Sequence, residues 1–551
     1  MTDISVRCVY DPPQDSDGWR VLVDRLWPRG TSKAKARVDV WDREAAPSKE
    51  PPRRLGNDGS RMAAMTFSQP SGIPAPTSRS SLQSPPSAPS ETAWPAPTPT
   101  RPLDATVEVP GSKSLSNRYL LLAALGRRPV TLGGLLRSRD TDLMIAALRG
   151  LGVTIEGLDA QGISVRVTPP PSGRFHGGRT VDCGLAGTVM RFLPGLSLFA
   201  DGPLRFDGDR QAYRRPMKPV LDGLEQLGAH VDYEGRPGFL PFVVTPPEDG
   251  RDDPDAMHDG TLAGEGGVPE GWSGARPVVS IDSSSSSQFI SGLLLVASRL
   301  PHGLGLRHTG ASLPSLPHIR MTMADVKAAG GTVRMTGTAT WIVEHADLQL
   351  PVEVTVEPDL SNAAPFLGAA LVVGGTVRVP RWPASTTQPG GLLPGILERM
   401  GAQVTSADGV LAAHAEGRHI LGLGRFDMSA AGEIAPSIAA LATLADSPTE
   451  LVGIGHLRGH ETNRLAAMVT EIRRVGAGAE ELEDGVAITP VPWERLHPDV
   501  METYADHRMA TFAAMLGLAI PGIRVRDIAT TRKTIPDFTG MWARMIGAVR
   551  G

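Results

Sequence analysis

The stretch Ser112-Lys113-Ser114-Leu115-Ser116-Asn117-Arg118-Tyr119-Leu120-Leu121-Leu122-Ala123-Ala124 decides the fold, because its pattern returns five more times along the chain. It is a small polar cluster, then a short apolar Ala/Leu helix, then a Gly-containing turn and a β-branched strand. The second copy is 184–191 leading into 192–200, and the third is 283–288 leading into 289–298. The fourth is Asp359-Leu360-Ser361-Asn362 before 363–373, the fifth Gly432-Glu433 before 434–445, and the sixth Asp506-His507-Arg508 before 509–520. Copies start about 70–75 residues apart, except that the second and third are nearer to about 100 apart. There the Asp/Gly-rich stretch 250–275 reads as a loop insertion. Self-similarity of this kind sets the architecture before local detail does. Six units make two domains of three units each. Between the strand of one unit and the next polar cluster there is room for more strands and a second helix, as at 145–152. The expectation is an α/β fold without the strict alternation of a doubly wound sheet.

Each polar cluster sits where a helix begins. A helix N-terminus carries unpaired N–H groups and about half a positive charge. Any single copy is explained by Ser, Asp or Gly acting as cap and turn. Six copies with cations beside several of them favour convergence on a common anion site. Lys113, Arg118, Arg191, Arg215, Arg464, Arg508 and Lys533 lie in or next to these clusters and turns. Arg grips carboxylate and phosphate bidentately, and Lys supplies a mobile point charge. The pattern points to a pair of small polyanionic ligands. The Gly-x-x-x-x-Gly-Lys-Ser/Thr loop of nucleotide triphosphatases is absent from the sequence, as is an aromatic platform for single-stranded nucleic acid. Two carboxylates complete the set: Glu433 at the fifth helix start, and Glu461 in His460-Glu461-Thr462-Asn463-Arg464. Held ionised among cations, a carboxylate can take a proton from a hydroxyl or pass one on. The plainer alternatives are a helix-terminal charge for Glu433 and a salt bridge to Arg464 for Glu461.

Bulk properties bound the rest. Hydrophobic residues at 41% with 21% charged residues are ordinary for a soluble globular chain, and 551 residues allow several domains. A net charge of -4 gives no bulk reason to expect nucleic acid or an anionic membrane. Two cysteines, Cys8 and Cys183, make neither a disulfide framework nor a zinc pattern, so a reducing, cytoplasmic setting fits. The start Met1-Thr2-Asp3-Ile4 lacks the features of a signal peptide, and no apolar run is long enough to cross a bilayer. Residues 1–50 are charged and carry Trp19, Trp27 and Trp41, whereas 51–103 are rich in Pro, Ser, Thr and Ala. The latter stretch is expected to be a disordered linker, since it has too little apolar surface to offset its ordering entropy.

Several separated motifs, in order, carry a strong resemblance to the 5-enolpyruvylshikimate-3-phosphate synthase family. They are Pro110-Gly111-Ser112-Lys113-Ser114-Leu115-Ser116-Asn117-Arg118, Ala186-Gly187-Thr188-Val189-Met190-Arg191, Arg215-Pro216 and Ser286-Ser287-Gln288. Glu461-Thr462-Asn463-Arg464, Asp506-His507-Arg508-Met509-Ala510 and Lys533-Thr534-Ile535-Pro536-Asp537 follow. The resemblance runs from about residue 104 to 549. It implies the two-domain enolpyruvyl transferase fold, an inside-out α/β barrel with three βαβαββ units per domain. The chain would cross between domains near Lys113 and near Asp359. One domain would then be 112–357, and the other 104–111 plus 358–549.

The implied reaction moves the enolpyruvyl group of phosphoenolpyruvate to the 5-hydroxyl of shikimate 3-phosphate, releasing phosphate through a tetrahedral intermediate. It uses neither metal nor organic cofactor and implies small-molecule partners only, with a monomer expected. By motif, shikimate 3-phosphate falls to Lys113, Ser114, Arg118, Ser286, Ser287, Gln288, Ser315, Glu433, His456 and His460. Phosphoenolpyruvate falls to Lys113, Gly187, Arg215, Gln288, Arg464, Arg508 and Lys533. Lys113, Glu433 and Glu461 are the implied catalytic groups, with Glu433 at the general-base position and Glu461 as the carboxylate acting at the methylene carbon. Departures from the family pattern are Leu185 where many members have Asn, His318 for Tyr, and His456 and His460 for Asn and Lys. Two histidines there would make binding depend on pH near about 6–7. The rival readings are UDP-N-acetylglucosamine enolpyruvyl transferase, which typically uses a loop cysteine, and a non-catalytic anion-binding protein. Separately, Arg20-Val21-Leu22-Val23-Asp24-Arg25-Leu26-Trp27-Pro28-Arg29-Gly30 resembles the opening of a small bacterial domain family of unknown function, as a partial fragment over 1–50. Met65 is then an alternative start.

Overall fold

The computed structural model describes the strands within 1–92 by their backbone, and then residues 93–157, 164–247, 276–313, 315–459 and 461–547. The expected insertion at 250–275 and His460 lie outside the described residues, as does most of the expected linker. The chain divides into two units, Met1–Pro89 and Ser90–Gly551.

In the first unit, Ile4–Cys8, Trp19–Leu22, Val40–Trp41 and Ala63–Phe67 form one four-stranded sheet. Ala63–Phe67 lies between Ile4–Cys8 and Trp19–Leu22, antiparallel to both. It comes from the stretch expected to be linker. The five residues Ala63-Ala64-Met65-Thr66-Phe67 are an unbroken apolar-rich run, long enough for a central strand, and the Pro- and Ser-rich residues around them hid it. Two further strands come from the far end of that stretch. Trp94–Pro95 pairs antiparallel with Arg524–Val525, and Leu103–Thr106 pairs parallel with Gly375–Pro380.

The second unit repeats one sheet pattern. Arg179–Asp182 runs parallel to Leu204–Asp207, which is antiparallel to Phe242–Thr245, which is antiparallel to His230–Tyr233. The same order recurs in Val278–Ile281, Leu304–His308, Thr340–Val343 and Val333–Thr336. It recurs again in Gly424–Asp427, Thr449–Val452, Gly485–Thr489 and Gly478–Leu482. A parallel pair needs a crossover, and here the crossover is the apolar helix of the repeat. Two sheets take their parallel strand from distant sequence: Glu353–Thr355 completes the sheet of Val130–Gly133, and Leu103–Thr106 completes that of Gly375–Pro380.

Eight helices position the site. They are α1 (Lys113–Leu125), α2 (Gly187–Phe192), α3 (Gln288–Ala297), α4 (Leu316–Ala328), α5 (Leu360–Val373), α6 (Ala435–Thr443) and α7 (Arg464–Arg474). An eighth, α8, is His507–Gly517. The repeat helices α1, α2, α3, α5, α6 and α8 are almost wholly buried, with polar residues toward their starts and apolar ones over most of the rest. They pack as two triplets with sheets outside them. Gly292 shows how close the packing is: a Cβ there would lie 2.2 Å from the Arg191 carbonyl oxygen, so α3 rests on the backbone of α2. Two separate apolar cores result. Val109 belongs to one and Leu115 to the other, and the chain returns between Val356 and Leu360. The two crossings lie side by side: Ser112 N–H donates to Glu357 O at 2.8 Å, and Asp359 N–H to Pro110 O at 2.8 Å. Among the described residues no helix is long and apolar enough to cross a membrane, and no group of metal-ligating side chains is assembled.

Candidate active site

Local chemistry fixes each helix start. The Ser112 hydroxyl accepts from Leu115 N–H at the head of α1, and Asp359 accepts from Asn362 N–H at the head of α5. Asp506 accepts from Arg508 N–H at 2.8 Å at the head of α8. Asp506 also does more. Its oxygens receive Arg464 Nε at 2.7 Å and Nη2 at 3.3 Å, deep inside the lobe. Arg464 is only 1% exposed.

Around Arg464 the second lobe builds a dense ion network. Nη2 donates to Glu461 Oε2 at 3.0 Å, and Nη1 to Glu433 Oε2 at 3.3 Å. Lys533 Nζ donates to Glu461 Oε1. Arg508 Nε lies 3.9 Å from Glu433 Oε2, and its Nη1 donates to Asn362 Oδ1 at 3.1 Å. Burial alone would lower the Arg464 pKa, but Asp506, Glu461 and Glu433 outweigh it and hold the pKa above the ordinary arginine value. His507 goes the other way: burial, with Arg508 beside it, pushes it well below 6.5, so it is neutral at neutral pH.

Lys113 brings the first lobe to this network. Its Nζ is 3.5 Å from Asp140 Oδ2. Burial and then the charge of Lys533 lower its pKa, with Asp140, Glu461 and Glu433 pulling it back up. A lysine placed this way can release a proton more readily than a solvated one.

A second cluster surrounds Gly187, at the start of α2. A Cβ on Gly187 would stand 3.0 Å from Arg215 Nη2, 3.0 Å from Gln288 Oε1 and 3.2 Å from Arg191 Nη1. Arg215 is steered by a 3.0 Å hydrogen bond to Leu185 O. Arg191 is 3% exposed, donates only to Pro216 O and Met190 Sδ, and leaves Nε without an acceptor among the described residues. Burial and the neighbouring Arg215 push its pKa well down, while the Glu461 charge acts weakly the other way.

A third cluster centres on Arg118. Its guanidinium donates to Ser114 O at 3.0 Å, His318 O at 3.3 Å and Thr322 Oγ1 at 2.9 Å, and lies 5.1 Å from the centre of the Phe192 ring. Ser315, with φ of 53°, sits in the left-handed region just before α4, and its carbonyl accepts from His318 N–H. Ser286 Oγ accepts from Gln288 N–H, and Ser287 is buried at the head of α3.

The structure therefore gathers Lys113, Glu433, Glu461, Arg464, Arg508 and Lys533 into one group. Gly187, Arg215 and Gln288 form a second, and Ser114, Arg118 and Ser315 lie around the third. His456 stands against Gly432, its Nε2 3.0 Å from where a Cβ would be. Burial lowers its pKa below 6.5, with Glu433 opposing, so the pH dependence near 6–7 expected from this histidine moves to lower pH. Sequence reasoning did not pick out Asp506, Asn362, Asp140 or Asp325 as contributors. Asp506 and Asn362 stood inside motifs that were recognised, and their neighbours were chosen instead. Asp140 and Asp325 are single acids in helices, a pattern that usually means a solvated face.

Comparison with known proteins agrees with this geometry. The family model described as EPSP synthase (3-phosphoshikimate 1-carboxyvinyltransferase) matches residues 97–253 and 269–542. Residues 3–69 match the model described as the inactive DUF488-N3 subclade. The 3-phosphoshikimate 1-carboxyvinyltransferase of Bifidobacterium longum strain DJO10A is 65% identical over 457 residues, covering 82% of this chain and 98% of that protein. That of Kocuria rhizophila is 47% identical over 465 residues, covering 83% and 97%. Among solved structures, EPSP synthase from Acinetobacter baumannii superposes with a TM-score of 0.64 at 23% identity, covering 82% of this chain and 97% of that one. The enolpyruvyl transferase NikO from Streptomyces tendae superposes at 0.59 with 17% identity, covering 83% and 98%. These two carry the fold: two lobes of α/β units, as the repeats predicted.

Proposed function

The chain belongs to the EPSP synthase family, and from that membership we infer that it is a 3-phosphoshikimate 1-carboxyvinyltransferase. It transfers the enolpyruvyl group of phosphoenolpyruvate to the 5-hydroxyl of shikimate 3-phosphate and releases phosphate. Two trianionic substrates repel, so a cation-rich site has to offset that repulsion before they meet. In our reading Lys113, Arg215, Gln288, Arg464, Arg508 and Lys533 hold phosphoenolpyruvate, with Gly187 leaving room for it. Ser114, Arg118, Ser286, Ser287, Gln288 and Ser315 hold shikimate 3-phosphate, together with Lys113, Glu433, His456 and His460.

The observation that carries the chemistry is the pair of carboxylates on one arginine. Glu433 and Glu461 are both fixed on Arg464, at 3.3 and 3.0 Å, with Lys533 on the other oxygen of Glu461. Glu433 accepts the 5-hydroxyl proton as that oxygen attacks C2 of phosphoenolpyruvate. Glu461, with Lys113 nearby, manages the proton that C3 gains. The tetrahedral adduct then loses a C3 proton, the double bond reforms, and phosphate leaves with the C–O bond electrons. Fixed cations stabilise this charge as it moves, without reorganising water. We further propose that the lobes, 112–357 and 104–111 plus 358–549, close about the paired crossings, and that the enzyme is a cytoplasmic monomer. The rival built on a loop cysteine fails chemically here: burial pushes the Cys183 thiol far up, and it lies in the core.

The test is phosphate release from shikimate 3-phosphate plus phosphoenolpyruvate. Release dependent on both substrates is expected. Folded protein that releases none, or that accepts only UDP-N-acetylglucosamine, overturns the reading.

A further inference from the structure

Arg118 lies along one face of α4. It meets the His318 carbonyl, the Thr322 hydroxyl and the Asp325 carboxylate, residues spaced four and three apart and so stacked on a single face. Asp325 is 3% exposed and Arg118 2%. Their closest approach is 3.7 Å, from Nε to Oδ2, while that Nε–H is given to Thr322. Oδ2 receives no hydrogen bond among the described residues. The pair is thus a buried charge contact without a direct hydrogen bond, the arrangement in which burial of a carboxylate is least compensated.

The other groups facing Asp325 can be named. The Tyr119 hydroxyl on α1 faces its carboxyl and favours its ionised form, and Glu357 adds a like charge from the second crossing. Helix α3, packed on α4, brings no ionisable side chain, and Arg334 on Val333–Thr336 is exposed. Arg118 is the cation that keeps Asp325 ionised. In the functional reading above, on which this inference rests, Arg118 is also a residue that holds the substrate anion.

We propose that Asp325 is a positioning residue that shares Arg118 with the shikimate 3-phosphate anion and takes up a proton as that anion binds. With the substrate absent, Asp325 balances Arg118 and holds it against α4. With the substrate present, a second anion claims the same guanidinium, and the buried carboxylate is the one that can be neutralised. Burial, against the pull of Arg118, already places Asp325 up at about 7, within reach of a proton at neutral pH. Shikimate 3-phosphate affinity therefore falls as pH rises above about 7, because an ionised Asp325 competes for Arg118.

Calorimetric titration of shikimate 3-phosphate in two buffers of different ionisation heat at about pH 7.5, above the substrate's own phosphate pKa of about 6, counts the protons taken up. The parent enzyme should take up measurably more than Asp325→Asn. Its KM for shikimate 3-phosphate should rise roughly three- to tenfold between about pH 7 and 8.5, while that of Asp325→Asn stays level and kcat is little changed. Tyr119→Phe keeps the carboxylate but removes the hydroxyl that favours its ionised form, so it should move the uptake midpoint to higher pH. Equal proton uptake in parent and Asp325→Asn, or an unmoved midpoint in Tyr119→Phe should Asp325→Asn not fold, overturns the inference. If the parent releases no phosphate from the two substrates, the functional reading fails. If it turns over and the variants behave like the parent, only this inference fails.

Discussion

The two lobes present their cations in opposite ways. In the second lobe Arg464 is saturated by carboxylates: Asp506, Glu461 and Glu433 surround it, and Lys533 shares Glu461. In the first lobe Arg191, among the described residues, donates only to a carbonyl and a thioether, and the charge that most opposes its own is another arginine. Arg118 has one carboxylate, at 3.7 Å. The difference teaches how the labour divides. In the proposed function, the sparsely paired buried cations of the first lobe are the ones a substrate anion would complete, and the carboxylates held on Arg464 are the ones that would move protons without drifting.

The largest expected effect tests that division directly. Glu461→Gln and Glu433→Gln keep shape and lose the proton acceptor. Each should lower kcat roughly 10²–10⁴-fold with a much smaller change in KM, the range for removing a general acid–base group. Arg118→Ala in the first lobe should do the reverse, raising KM for shikimate 3-phosphate far more than it lowers kcat. Steady-state kinetics with both substrates varied reads both arms. If the glutamine variants lose binding and keep kcat, the carboxylates are merely ion-pair partners and the contrast between lobes collapses.

Next in size is Asp506→Asn. It leaves Arg464 buried with one fewer compensating charge at 2.7 Å. Removing one partner of a buried pair costs about 3–5 kcal/mol. Urea unfolding should show a loss toward the lower end, because Glu461 and Glu433 remain. The same substitution puts an amide N–H donor where the oxygen receiving Arg464 Nε stood, while an Asn oxygen can still cap α8, so KM for phosphoenolpyruvate should rise as Arg464 loosens. Unchanged stability would mean that the second lobe is not held by this network.

Much of this was legible in the sequence, and the reason is local. The helix starts were visible because caps and apolar runs are short-range signals: Ser112 caps α1 and Asp359 caps α5 as their positions foretold. What was not legible is non-local. Nothing near Glu353–Thr355 says that it pairs with Val130–Gly133, or near Trp94–Pro95 that it pairs with Arg524–Val525. Ala63–Phe67 was masked by the composition of its surroundings. Asp325 gave no signal in the sequence, because burial depends on what packs against a residue and its own segment does not record that. For the same reason His456 was expected to titrate near neutrality, and burial moved it down.

The smallest expected effect sharpens the contrast from the other side. Arg191 pays for its burial with no carboxylate in contact among the described residues, and its pKa is driven down, which means that folding works against its charged form. A group whose folded pKa is depressed below its unfolded value, when the charged form is the protonated one, destabilises the fold at every pH below the folded pKa. Arg191→Met keeps most of the side-chain volume and removes the buried charge. It should therefore stabilise the free enzyme, on the order of 1–2 kcal/mol, by the logic that replaces buried charges with apolar groups. Activity should move against stability, with KM for phosphoenolpyruvate rising modestly, since Arg191 lines the Gly187 cluster beside Arg215, which holds that substrate in the proposed function. Urea unfolding of the free enzyme at pH 7, paired with kinetics, reads both signs. A variant that loses stability as well as affinity would show that Arg191 is compensated in the free protein, and the two lobes would then hold their cations alike.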